Sequence, residues 1–179
     1  VDGTLVFAFK GHANSVTSVA VTPDVQHIIS GSRDKLVKVW SVASKSLVST
    51  CGVEDNRDDA VGHTGAVLAV AAMPDGQRIL SGAEDPNVRV WLLDGTLKNT
   101  FKLHAHSVLA LVALPDNQHA LSAGDKTVKL FNVNDGAVLR TFTHHTDAVR
   151  CLALLPDGRR FVSAFHLDHD AHIAEIGPL

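Results

Sequence analysis

The residues Phe165 to His172, "FHLDHDAH", place His166, Asp168, His169 and His172 on one short stretch. Imidazole and carboxylate groups together ligate transition metals, so this set is a candidate metal site and, with it, a candidate metal-dependent enzyme. A spacing of three along an irregular segment does not by itself impose a tetrahedron, and a solvated loop is the plainer reading. The stretch Glu54 to Ala60, "EDNRDDA", gathers four carboxylates and one arginine. It lacks the glycine and the terminal glutamate that a calcium loop needs at fixed offsets. It reads as an acidic loop in which Glu54, Asp55, Arg57, Asp58 and Asp59 are candidate contacts for a basic partner. Only two thiols occur, Cys51 and Cys151, with no short metal spacing between them. Isolated thiols fit a reducing compartment. Cys151 lies in an apolar segment, where a structural thiol is expected and not a nucleophile. No phosphate loop, dinucleotide fingerprint or nucleophile elbow appears, and no cofactor is expected.

Composition narrows the partners. Charged residues make up 20% and hydrophobic residues 45%, with a net charge of -3, which is a globular balance. The basic residues are scattered without interleaved aromatics, so no nucleic-acid partner is expected. No apolar run reaches membrane-spanning length; "AVLAVAAM" (Ala66 to Met73) is strand-sized, and no membrane partner is expected. The sequence opens at Val1 with neither Met nor a signal-peptide pattern, and a piece of a longer protein is the expectation.

The elements that carry these residues repeat. "SGSRDKLVKVW", Ser30 to Trp40, returns 51 residues later as "SGAEDPNVRVW", Ser81 to Trp91. Pro23, Pro74, Pro115 and Pro156, separated by 51, 41 and 41 residues, are each followed by Asp. Pro presets φ, and the Gly or Asn after Asp accepts a positive φ, so each is a turn. Val25 is the odd member, expected to strain its turn or change its type. Between turns lie short segments rich in Val, Leu and Ile, too short for helices, that read as strands. The predicted strands are Val16–Val21, His27–Gly31, Leu36–Trp40 and Leu47–Thr50; Val67–Ala72, Arg78–Ser81, Val88–Leu92 and Leu97–Phe101; Val108–Leu114, His119–Ser122, Val128–Asn132 and Val138–Phe142; then Val149–Leu154, Arg160–Ser163 and a weak one near Ala171–Ile176. Many are apolar on successive residues, which requires sheets covered on both faces. The ten extra residues of the first interval fall at Cys51 to Ala60.

A repeat of this length with Gly11-His12 and Gly62-His63 near its starts, and Trp40 and Trp91 near its ends, resembles the WD40 family of β-propellers. The resemblance implies an all-β fold of about four blades, each of four antiparallel strands, forming a partial propeller or half-ring. Residues 1–179 then form a single WD40-repeat region. Residues 1–10 are the outer strand of a neighbouring or closing blade, 11–61 the first blade with its acidic insertion 51–60, 62–102 the second, 103–143 the third and 144–179 a degenerate fourth. It also implies a hydrogen-bonded chain in each blade: His12, Ser30, Asp34 and Trp40; His63, Ser81, Asp85 and Trp91; His104, Ser122 and Asp125, with Phe131 in place of Trp; and His145, Ser163 and Asp168, with Ala174 or Ile176 in that place. The Asp that follows Trp in the family is absent, replaced by Ser41, Leu92 and Asn132.

Four repeats leave three arrangements open: part of a longer propeller, self-association that completes a ring, or an open arc. The function the resemblance implies is a non-enzymatic scaffold that binds a protein or peptide partner at its inter-blade loops. The contacts expected there are the acidic loop and His169, in an intracellular setting, cytoplasmic or nuclear. The metal-dependent enzyme above is one alternative, and a purely architectural module of a larger protein is the other.

Overall fold

A computed structural model describes residues 3–53, 61–165 and 171–178. Blade 1 is β1 (Val16–Val21), β2 (His27–Ser32), β3 (Val37–Ser41) and β4 (Ser46–Cys51). Blade 2 is β5 (Val67–Ala72), β6 (Arg78–Ala83), β7 (Asp85–Leu92) and β8 (Leu97–Lys102). Blade 3 is β9 (Val108–Ala113), β10 (His119–Gly124), β11 (Thr127–Asn132) and β12 (Val138–Phe142). Blade 4 has three strands, β13 (Val149–Leu154), β14 (Arg160–Phe165) and β15 (His172–Glu175). Within every blade the strands pair antiparallel in sequence order.

The first strands of successive blades lie side by side, β1 against β5, β5 against β9, and β9 against β13, and the arc does not close into a ring. Each junction between blades holds one hydrophobic cluster. Ile29, Val37, Val39 and Cys51 of blade 1 meet Val70, Ile79 and Trp91 of blade 2. Leu80, Val88 and Val90 meet Leu111 and Phe131, and Leu121, Val128 and Phe142 meet Val149, Phe161 and Ile176. This stacking is why the middle strands are apolar on both faces: five successive residues of β6 and of β10 are buried. Close approach needs small residues. A Cβ on Gly31 would lie 2.6 Å from Val67, and one on Gly82 would lie 2.5 Å from Val108. The ends of the arc lack such cover: Val19 of β1 is 66% exposed and Ile173 of β15 is 64% exposed.

All four Pro-Asp turns adopt one geometry. Val25 (φ 58), Asn117 (φ 61), Gly76 (φ 66) and Gly158 (φ 65) share the left-handed conformation. Their amides donate back to Thr22, Leu114, Met73 and Leu155 carbonyls respectively. The Asp carboxylates of the turns accept the amides of Gln26, Gln77, Gln118 and Arg159. Val25 therefore keeps the turn type and bears the strain of a β-branched residue at positive φ.

Two features differ from the sequence reading. Thr4–Phe9, expected to be strand, belongs to no sheet among the described residues. It meets blade 1 through Phe9, whose ring lies 5.5 Å from that of Trp40, while Leu5 and Val6 are exposed. Cys151, expected to be a buried structural thiol, is exposed, because it lies on the face of β13 that no further blade covers.

Candidate functional site

Blade 2 shows how the repeated residues meet. Trp91 Nε1 donates to Ser81 Oγ at 2.7 Å. Ser81 Oγ lies 2.7 Å from His63 Nε2, and His63 Nδ1 lies 2.8 Å from Asp85 Oδ2. An indole N–H can only donate and a carboxylate only accepts. The proton order follows: Ser81 donates to Nε2, and His63 is the Nδ1–H tautomer donating to Asp85. Asp85 also accepts the amides of Thr64 (3.0 Å) and Asn87 (2.9 Å), which ties the start of the repeat to the start of β7. Burial works against an ionised Asp85, but His63 and these amides outweigh it and bring its pKa to about 2. Burial is the main reason that His63 titrates below its usual value; the neighbouring Arg89 cation adds to this, and Asp85 opposes it.

Blade 1 repeats the set. Trp40 Nε1 donates to Ser30 Oγ at 2.8 Å, Ser30 Oγ lies 2.7 Å from His12 Nε2, and His12 Nδ1 lies 2.8 Å from Asp34 Oδ2. Asp34 accepts the amides of Ala13 and Leu36. Burial raises its pKa, and the bonds from His12 and the two amides more than reverse that.

Blade 3 has a shorter β10–β11 turn, and the chain is stretched there. His104 Nε2 stays 3.0 Å from Ser122 Oγ, but His104 Nδ1 is 3.4 Å from Asp125, beyond a good hydrogen bond. Asp125 instead accepts the amides of Ala105 and His106. Burial again lowers the pKa of His104. Phe131 stands opposite Ala120 where Trp91 stands opposite Ile79. In blade 4, His145 Nε2 lies 2.7 Å from Ser163 Oγ. The pairing of Phe161 with Ala174 puts Ala174 at the Trp place, and Ile176 belongs to the junction cluster.

One repeated position was missed in the sequence. Lys38, Arg89 and Lys129 pair across their strands with Ser30, Ser81 and Ser122, and His172 pairs with Ser163. Lys38 and Arg89 are each 3% exposed. Lys38 Nζ reaches Thr50 Oγ1 at 3.3 Å, and Lys129 Nζ donates to the Leu103 carbonyl. Arg89 Nη1 lies 3.3 Å from Asp85 Oδ2 and 2.9 Å from His63 Nδ1. That nitrogen's proton is committed to Asp85, so the guanidinium acts by donating to the carboxylate. A cation two residues before the aromatic in "VKVW", "VRVW" and "VKLF" was the available signal.

The Ser–His–Asp order in blades 1 and 2 matches that of a hydrolase triad, yet it does different work. Ser30 and Ser81 are buried and each already accepts an indole N–H, so neither hydroxyl is available to a substrate. The Cys51 thiol, pushed up to about 12 by burial and by Asp94, is equally unreactive.

Of the other candidates, Glu54, Asp55, Arg57, Asp58 and Asp59, and His166, Asp168 and His169, lie outside the described residues. His172 is described: its ring centroid is 4.8 Å from that of His145. Among the described residues no group of three His, Cys, Asp or Glu is placed to hold a metal ion, and no helix is long and apolar enough to cross a membrane.

Stacked antiparallel sheets, three of four strands and one of three, pinned by a repeated His–Ser centre, define an arc of a β-propeller. The family pattern "WD domain, G-beta repeat" matches residues 3–41, 59–91, 95–132 and 136–173, and the chain belongs to the WD40 family. It is similar to the small ribosomal subunit protein RACK1 of Neurospora crassa, 36% identical over 99 residues, which are 54% of this chain and 28% of that protein. It is also similar to the ribosome biogenesis protein WDR12 homolog of Drosophila mojavensis, 34% identical over 92 residues, 48% of this chain and 22% of that one. The ribosome biogenesis protein BOP1 homolog of Drosophila ananassae is 36% identical over 72 residues, 40% of this chain and 9% of its own length. The chain spans less than a third of each of these relatives.

Proposed function

We propose that the chain is a non-enzymatic scaffold that binds a protein or peptide partner through the loops at one edge of its blades. The observation that carries this reading is the internal use of the chemistry-bearing groups. In blades 1 and 2 each His, Ser, Asp and Trp is committed to the others, so these residues make a frame and leave recognition to the loops. The segment containing Glu54, Asp55, Arg57, Asp58 and Asp59 connects β4 to β5, and a Cβ on Gly52, one residue before its described end, would lie 3.3 Å from Leu36 of the β2–β3 turn. The segment with Asp168 and His169 connects β14 to β15, the corresponding turn of blade 4. Both connections leave the blades at the same edge, which is what a shared contact surface requires.

The relatives, a small ribosomal subunit protein and two ribosome biogenesis proteins, direct the choice of partner to a basic protein of a ribosomal or pre-ribosomal particle, in the cytoplasm or nucleus. The test is capture of purified ribosomal particles by the chain and by a variant whose residues 54–60 are replaced with a neutral linker of equal length, which leaves the buried Cys51 of β4 in place. The scaffold reading expects the unmodified chain's capture to fall with salt and the variant's capture to be weaker and less sensitive to salt. Equal capture by both removes the acidic loop as a contact.

A further inference from the structure

Blade 4 has lost its tryptophan but kept the acceptor that the tryptophan served. Strand register places Ala174 opposite Phe161, as Trp40 stands opposite Ile28 and Trp91 opposite Ile79. At two of the other blades an aromatic ring from the preceding segment packs against this place, Phe9 at 5.5 Å from Trp40 and Phe101 at 6.4 Å from Phe131, and at the Ala174 junction Phe142 fills part of the space. The compensation is incomplete. A cavity of about 350 Å³ remains, lined by Phe142, His145, Phe161, Ser163, His172 and Ala174 among others, near the lower end of the roughly 300–1,000 Å³ typical of ligand sites.

We propose that this cavity is a socket for an indole, presented as a tryptophan side chain by the protein partner. Ser163 is 3% exposed, and its Oγ is bonded to His145 Nε2 at 2.7 Å. A hydroxyl has two acceptor places. In blades 1 and 2 one of them receives Trp Nε1 at 2.8 and 2.7 Å; among the described residues no donor fills it on Ser163. Phe142 and Phe161, 7% and 1% exposed, set their rings edge to face at 4.9 Å and wall the space with aromatic surface, the surroundings that an incoming ring prefers. β15 is the edge of its sheet among the described residues, and its Ile173 is exposed, so the cavity is approached across a bare edge. The chain cannot supply the ring from its described blades: its two tryptophans, Trp40 and Trp91, are already buried in their own.

This socket rests on the binding reading above and names a side chain for that partner. The test titrates the full chain with N-acetyl-5-fluorotryptophanamide, followed by fluorine NMR so that Trp40 and Trp91 are silent, and then with its N1-methyl analogue. Saturable binding is expected, weakened about two- to tenfold by N-methylation, as one hydrogen bond is lost. Ser163→Ala should bring the two ligands to equal affinity, and Ala174→Trp should abolish binding by filling the socket from within. Absence of saturation, equal affinity of both ligands for the unmodified chain, or unchanged binding to a folded Ala174→Trp variant overturns the proposal. The comparison of the two ligands on the unmodified chain needs no variant to fold. If particle capture persists without indole binding, the socket alone fails; if indole binding persists without particle capture, the loop-edge reading alone fails.

Discussion

Blades 2 and 4 are built to one plan and held by different means. In blade 2 the plan is complete: Trp91, Ser81, His63, Asp85 and Arg89 form one buried polar unit, covered by blade 1 on one side and blade 3 on the other. In blade 4 the His145–Ser163 bond survives, but Ala174 replaces the indole, His172 replaces the cation and, among the described residues, no blade covers its second face. The shared strand order and register show that hydrophobic stacking and the Pro-Asp turns set the blade. The polar unit adds specificity and stability where apolar cover makes an unpaired group costly.

That contrast is open to test by substitution. The largest expected effect is Asp85→Ala, which takes the carboxylate away from the buried Arg89 cation and strands the His63 N–H; a loss of about 3–5 kcal/mol is expected from chemical denaturation. Asp125→Ala in blade 3, where the histidine contact is 3.4 Å and no arginine is attached, should cost distinctly less; equal losses would erase the distinction between blades. Ser81→Ala leaves the Trp91 N–H and His63 Nε2 both unserved and should cost less than Asp85→Ala, about 1–3 kcal/mol in all. Ser163→Ala leaves only His145 Nε2 unserved, so its loss should be smaller still.

Acid offers a milder probe. His63 and His104 titrate below 6.5 in the folded chain, mainly through burial. The unfolded chain therefore takes up their protons first, and the stability they support, full above pH 6.5, declines as pH falls through that value. Asp85, lowered from 3.8 to about 2, adds a second decline between those values. Urea midpoints measured from pH 7.5 to 5 should fall, and a flat profile would mean that these histidines are not buried as described. The smallest expected effect is a gain. Val25 is 61% exposed at φ 58, so Val25→Asn relieves the turn with little packing lost and should add about 1 kcal/mol.

The sequence revealed much of this because its punctuation is physical. Pro-Asp marks each turn, and the 18-residue interval from His to Ser recurs in all four blades, so strand positions followed by counting. Counting failed where a connection changes length: the β14–β15 segment is longer, and only strand register decides for Ala174 over Ile176. The buried cations were in plain view but uninterpreted, because Lys38 or Arg89 inside an apolar strand looks like a solvated residue until its cross-strand serine is known. Exposure of Cys151 depends on which blade stands at the end of the arc, and no local pattern encodes that.

The protonation of His63 tests the central claim most directly, because every bond in the blade 2 chain sets it. Nitrogen-detected NMR of the imidazole at neutral pH should show a neutral ring protonated at Nδ1, with Nε2 accepting from Ser81 and the Trp91 indole proton protected from exchange. A ring protonated at Nε2, or one carrying both protons, with a freely exchanging indole would contradict it.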